Sequence, residues 1–164
     1  MAQRTLLRFP DPKLRLACAP VERFDGTLAT LVRDLVDTMR AAPGIGITAA
    51  HIGELKRVTV IELDGPDSTR IYVNPAIVWQ SQELSRHMEG SVSMPGVTDE
   101  VERPARVRIS YRDESGQEHE EAAGGLLAVC LQHEIDQLDG IFWIDRLSRL
   151  KRERLIKKFR KIGG

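Results

Sequence analysis

The stretch from Gly124 to Gly140 limits the fold more than any other part of the chain. It opens on Gly124-Gly125, runs through the unbroken apolar residues Leu126 to Leu131, and continues as Gln132-His133-Glu134-Ile135-Asp136-Gln137. The apolar run is far short of the roughly 20 residues a membrane span needs. A helix here starts after the glycine pair and ends at Gly140, a natural C-cap position. The polar string is one residue away from H-E-x-x-H, in which two histidines one turn apart bind zinc or iron and the adjacent glutamate is the general base. Gln137 takes the second histidine's place and projects from the same face as His133, because i and i+4 are helical neighbours. Read alone, the string fits equally a solvent-facing polar helix that happens to contain His-Glu.

The rest of the chain supplies strands and two more helices. Residues 1–24 hold Pro10, Pro12 and Pro20 and read as extended segments with turns. After the capping residues Asp25-Gly26-Thr27, Leu28, Leu31, Val32, Leu35, Val36 and Met39 form one apolar helical face, ended by Pro43-Gly44. Arg57 to Leu63 and Arg70 to Trp79 read as strands, the second interrupted at Asn74-Pro75. Val107 to Asp113 alternates, and Glu114-Ser115-Gly116 turns it into a partner strand over 117–122. A last helix spans Leu147 to Lys161. With 164 residues and no long linker, the expected organisation is one α+β domain over 1–164.

Composition narrows the function classes. Hydrophobic residues make up 41% and charged residues 29%, which excludes a disordered polyelectrolyte. The start, Met1-Ala2-Gln3-Arg4, lacks the apolar core of a secretory signal. Two cysteines, Cys18 and Cys130, suit a reducing compartment, so a cytoplasmic location is expected. The formal charge of zero is a cancellation. Residues 145–164 carry nine basic and two acidic side chains, a net +7, and the remainder carries −7. A uniformly basic nucleic-acid binder is thereby excluded, and neither DNA nor membrane is an expected partner.

Two further strings join the helix. Gly44-Ile45-Gly46-Ile47-Thr48-Ala49-Ala50-His51 is a glycine-hinged segment that lets backbone approach a ligand. It is no phosphate loop, because no Gly-Lys-Ser/Thr follows. Glu89-Gly90-Ser91-Val92-Ser93-Met94-Pro95, alone, reads as a loop beside a strand. In this order the three strings closely resemble the signature of the peptide deformylases: Gly-Φ-Gly-Φ-Ala-Ala-x-Gln, Glu-Gly-Cys-Leu-Ser and Gln-His-Glu-x-Asp-His. Phe9-Pro10-Asp11-Pro12-Lys13-Leu14-Arg15 and Gly124 to Cys130 also resemble that family. The resemblance implies a small fold of mixed or antiparallel sheets around a central metal-bearing helix. It further implies hydrolysis of the formyl group of N-formylmethionyl peptides, with iron, zinc or nickel as the family's cofactor.

The sequence departs from that signature at the ligands. By motif position, Ser91 replaces the cysteine, His133 is kept as the first histidine, and Gln137 replaces the second. His51 replaces the glutamine that helps stabilise the oxyanion, while the general base Glu134 and the motif carboxylate Glu89 are retained. A serine hydroxyl is not among zinc's usual ligands, and an amide oxygen suits harder cations. No tight metal is expected, and a general base alone, at about 10²–10⁴ in rate, does not replace metal activation of water. Ordinary deformylase activity is therefore expected to be weak or absent. Two rescues remain open: a displaced, weaker metal site from His51, His133 and Glu89 or Glu134, and a Ser91 hydroxyl activated by a histidine. Cys130 reads as packing and His87 as an exposed loop residue.

By the same resemblance, Ile45, Leu126, Val129 and Cys130 would hold a methionine side chain, with ordinary core as the competing reading. Backbone at Gly46, Gly90 and Val92 would hold an extended peptide. An N-terminal or formyl-Met peptide is thus an expected partner, with or without turnover. The basic last helix could dock on ribosomal RNA, or simply pack on the acidic body as a solvated helix.

Overall fold

The computed structural model describes residues 2–163, so the two ends of the expected domain, Met1 and Gly164, lie outside the described residues. The first helix, α1 (Gly26–Ala41), starts where the Asp25 carboxylate accepts the Thr27 backbone N–H at 3.0 Å. That cap satisfies one of the four orphan donors of a helix N-terminus. Leu28, Leu31, Val32, Leu35 and Met39 are buried along the expected face. Burial stabilises each such side chain by about 1.5–3 kcal/mol.

Strands β1 (Gly46–Thr48), β2 (Val58–Ile61) and β3 (Arg70–Gln80) follow. Then come β4 (Leu84–Ser91), β5 (Met94–Pro104), β6 (Arg106–Arg112) and β7 (Glu118–Gly124). Five of them form one antiparallel sheet in the order β1-β2-β3-β6-β7, and β4 and β5 form a separate antiparallel hairpin. The expectation of mixed or antiparallel sheets resolves to antiparallel. Strand β3 runs through the Asn74-Pro75 interruption by shifting register between Val73 and Ala76. Asn74 takes a positive φ of 52°, and its side chain bridges the backbone N–H and C=O of Val21 at 2.7 and 2.9 Å.

Helix α2 (Gly125–Leu138) packs against the five-stranded sheet, and every residue from Ala128 to Leu138 is buried. The solvent-facing reading of its polar string is thereby corrected. Alternation on β2 divides the core: Val58 and Val60 pack with α1, while Ile61 joins Tyr72, Ile109, Leu131 and Ile135 under α2. Helix α3 (Arg149–Lys161) starts two residues later than expected, because Ser148 caps it. Its Leu155 and Phe159 pack with Met94, Val97 and Val101 of β5. Among the described residues no helix is long and apolar enough to cross a membrane.

Candidate active site

Five polar side chains on a buried stretch of α2 need partners, because an unpaired buried polar group costs about 1–3 kcal/mol. Four find them. Gln132 Nε2 donates to the Pro104 carbonyl at 2.9 Å. His133 Nδ1 lies 2.8 Å from Glu89 Oε1 on β4. Asp136 accepts from Arg103 on β5 at 2.8 Å and from Arg146 at 2.9 and 2.7 Å. Gln137 Nε2 donates to the Leu14 carbonyl at 2.8 Å. The exception is Glu134, whose Oε1 is buried without a hydrogen-bond partner.

Glu89 is the hub. Arg103 clamps both of its oxygens, at 2.6 and 2.9 Å, and both side chains are almost fully buried. Burial alone would raise the Glu89 pKa, but the Arg103 hydrogen bonds, followed by His133, hold it down at about 2. Burial pushes Glu134 up to about 7, with the Glu89 charge adding to the rise and His133 and Arg103 opposing it. Burial lowers the His133 pKa, but the Glu134 charge and the bond to Glu89 turn the net shift upward. Burial, aided by Glu134 and Glu89, pushes the Cys130 thiol up to about 12, so it stays protonated and packs as an apolar residue.

The β1 segment brings His51 to this cluster. It sits on a short 3₁₀ turn (Ala49–Ile52) and is 1% exposed. Its Nδ1 accepts the Thr48 backbone N–H at 3.0 Å, with the Thr48 hydroxyl at 3.2 Å, while its Nε2 is buried without a partner. Burial first, and the His133 charge second, lower its pKa to about 3. Gly46 leaves room for this carboxylate: a Cβ there would stand 2.7 Å from Glu134 Oε2, and the end of that side chain would have to shift. Ser91 is half-buried at the hairpin turn, where its Oγ accepts the Ser93 N–H at 3.1 Å.

These residues surround one cavity of about 380 Å³. Ile45, Gly46, His51, Glu89, Gly90, Ser91, Val92, Leu126, Val129, Cys130, His133 and Glu134 all line it. Gln137 is not among the lining residues; its amide is turned to Leu14. Leu126 and Ile45 are each 47% exposed, so ordinary core is the wrong reading of Leu126, and both flank the cavity with Met88. His87 lies on β4 and is half-buried, which corrects its reading as an exposed loop residue. Sequence reasoning missed Arg103, Asp136 and Arg146 as the charges that fix Glu89 and the helix, and it missed Met94, Val97 and Thr98 as cavity wall.

The donor set does not fit the family's metal. A hydroxyl engaged in a turn, one imidazole and an amide that donates its N–H elsewhere replace a thiolate and two imidazoles. Among the described residues no three His, Cys, Asp or Glu side chains are grouped so as to hold a metal ion.

Comparison with known proteins agrees with this architecture. The polypeptide deformylase family profile matches residues 3–153. A Rhizobium meliloti protein named peptide deformylase-like is 65% identical over 163 residues, covering 99% of this chain and 95% of its own. Two further relatives come from Brucella suis. One, named peptide deformylase-like, is 62% identical, covering 99% of each chain. The other, named peptide deformylase, is 47% identical, covering 100% of this chain and 95% of its own. The crystal structure of a Legionella pneumophila peptide deformylase superposes with a TM-score of 0.93 at 40% identity, covering 98% of this chain and 95% of that one. Sequence, sheet order and the buried His-Glu helix together place this chain in the polypeptide deformylase family.

Proposed function

We propose that this chain is a deformylase-family protein that binds N-terminal peptides, formyl-Met peptides among them, in the inherited cavity without the family's metal-dependent hydrolysis at its ordinary rate. The observation that carries this is Gln137: its amide is buried and donates to the Leu14 carbonyl, so the second-histidine position faces the N-terminal segment. Ser91 adds a hydroxyl where a thiolate would be needed. Glu134 remains a buried carboxyl with one free oxygen, able to hold a proton near neutral pH. The cavity's chemistry still suits its ligand: apolar walls from Ile45, Leu126 and Val129 accept a flexible unbranched side chain, and the backbone at Gly46, Gly90 and Val92 borders the extended path. A hydrolase rebuilt around His51, His133 and Glu134 has less support, because with Nδ1 occupied as an acceptor the neutral His51 ring carries its proton on Nε2 and offers no lone pair to a metal.

The test is restoration. Ser91→Cys, Gln137→His and His51→Gln are introduced together, and metal content and formyl-Met peptide turnover are compared with the unmodified chain. Metal uptake and turnover should appear only in the triple variant. Stoichiometric zinc, iron or nickel in the unmodified protein, or equal turnover, overturns the proposal.

A second reading concerns α3 and a cytoplasmic, translation-linked role. Arg149 pairs with Glu153, but among the described residues Lys151, Arg152, Arg154, Lys157, Lys158, Arg160 and Lys161 form no ion pair. The acidic body therefore does not neutralise the helix, which favours docking on a polyanion such as ribosomal RNA. Ribosome binding that falls steeply with salt supports it, and salt-independent or absent binding removes it.

A further inference from the structure

Three side chains of the cavity carry the parts that activate a hydroxyl. Both oxygens of Glu89 are clamped by Arg103, so this carboxylate stays ionised and only accepts hydrogen bonds. Its partner His133 Nδ1, 2.8 Å away, must therefore carry a proton. In the neutral imidazole the lone pair then sits on Nε2. That atom has no hydrogen-bond partner among the described residues and belongs to a side chain lining the cavity. Ser91 lines the same cavity, two residues beyond Glu89 at the end of β4. Its Oγ accepts the Ser93 N–H at 3.1 Å, and an oxygen engaged as an acceptor keeps its own O–H to give away. The next backbone N–H, that of Val92, lies in the turn between β4 and β5 and makes no hydrogen bond among the described residues.

We infer that Ser91, His133 and Glu89 form a metal-free nucleophilic triad that hydrolyses carboxylic esters of short aliphatic acids. Ser91 and His133 are its catalytic residues. Glu89 is a positioning residue, and the Arg103 clamp keeps it from taking the proton itself. In the first half-reaction the Ser91 O–H proton passes to His133 Nε2 and Oγ bonds to the acyl carbon. The bond from that carbon to the alcohol oxygen breaks, and His133 returns the proton to the departing alcohol. Water then adds to the acyl-Ser91 ester while His133 takes its proton. Ser91 leaves with that proton, and the carboxylic acid is released. The Val92 N–H follows the nucleophile in sequence, the place from which serine hydrolases donate to the developing oxyanion. Ile45, Leu126 and Val129 supply the apolar wall for the acyl chain. Ser91 and His133 are not hydrogen-bonded to each other in this structure; the contact closes on the substrate, since nucleophile and base commonly stand farther apart in unliganded sites. Burial lowers the His133 pKa, but Glu134 and Glu89 raise it on balance, so the deprotonated ring is a stronger base.

The experiment uses the full chain at about pH 8.5 with excess chelator. In the first arm the unmodified protein is treated with a fluorophosphonate, from which Ser91 Oγ displaces fluoride at phosphorus while His133 takes the proton. Mass spectrometry should show a single adduct, and peptide fragmentation should place it on Ser91. No adduct, or an adduct on another residue, overturns the inference, and this readout needs no variant. In the second arm, p-nitrophenyl butyrate hydrolysis by the unmodified chain should exceed that by Ser91→Ala at least about hundredfold, the lower end of what a positioned base contributes. Equal rates in the two proteins, or a rate that the chelator abolishes, overturns it. Glu89→Gln should lower kcat with little change in KM, and the parent's kcat in that variant overturns the positioning role. Spectra of ¹⁵N-histidine-labelled protein read the same role directly: His133 should carry its proton on Nδ1 with Nε2 bare, and the opposite tautomer overturns the triad. No peptide enters either arm, so the triad and the binding of N-terminal peptides stand or fall separately.

Discussion

Replacing Arg103 with methionine keeps most of the side chain's volume and removes its charge. The guanidinium makes three charge-assisted hydrogen bonds, two to Glu89 and one to Asp136. Asp136 keeps both bonds from Arg146. Glu89 does not fare as well: its side chain is 3% exposed, and His133 becomes its only remaining partner among these bonds. Removing one partner of a buried ion pair typically costs about 3–5 kcal/mol, because the other charge is left uncompensated. For a domain of this size that corresponds to roughly 6–20 °C in Tm, at about 2–4 °C per kcal/mol. Urea unfolding followed by the fluorescence of Trp143, which is 1% exposed, measures the loss. Adding Glu89→Gln to Arg103→Met removes the stranded charge and should recover at least about half of the loss. An Arg103→Met protein within about 1 kcal/mol of the parent, or a double variant no more stable than the single one, refutes the reasoning. The same ion pair sets a pH dependence. The Glu89 pKa is lowered from 4.5 to about 2 on folding, so its contribution is fully present above the unfolded value and is lost as pH falls through that window. Stability of the parent should therefore fall more steeply below about pH 4.5 than that of Glu89→Gln.

Glu134 has the opposite sign. Its folded pKa, about 7, lies above the unfolded value, so the parent loses stability between about pH 4.5 and 7 as the unfolded chain ionises first. Glu134→Gln should gain stability relative to the parent from pH 5 to 8, and parallel stability curves would falsify this. Gly46→Ala places a methyl group 2.7 Å from Glu134 Oε2 and should cost about 1–3 kcal/mol by chemical denaturation, unlike an ordinary exposed Gly→Ala change. Phe159→Ala opens a void between α3 and β5 and should cost about 3–5 kcal/mol in the same assay. Lys151→Glu, Lys158→Glu and Lys161→Glu together should leave Tm within a few degrees of the parent. They should remove salt-sensitive ribosome association measured by co-sedimentation.

What could be read from the sequence follows the distribution of apolar side chains. Helix α1 and strand β6 bury aliphatic residues at their characteristic periods, and β2, buried at all four positions, is marked by its Val and Ile content, so these elements were visible. The β4–β5 hairpin was not. Glu89 is the only fully buried residue of β4, and Arg103 is among the four of β5, so the hairpin's inner face is marked partly by charges that look solvent-exposed in sequence. The cavity residues were legible because three strings matched a family signature in order. Arg103 and Arg146 lie outside those strings and were not. Their roles emerge only when β5 and the segment after α2 fold back onto Glu89 and Asp136. The exposure of Leu126 was likewise hidden, since an apolar run gives no sign of which member opens onto a cavity.

The bond from Gln137 to Leu14 joins positions 123 residues apart in sequence. In a metalloprotein, a ligand at this place ties the maturation of the fold to the supply of an ion, and a chelator can undo the work. Here the tie is made from an amide and a backbone carbonyl, both present from the moment the chain is synthesised. The bond therefore fastens the N-terminal segment to the central helix through atoms of the chain itself, closing a loop that holds the whole of the five-stranded sheet and the hairpin.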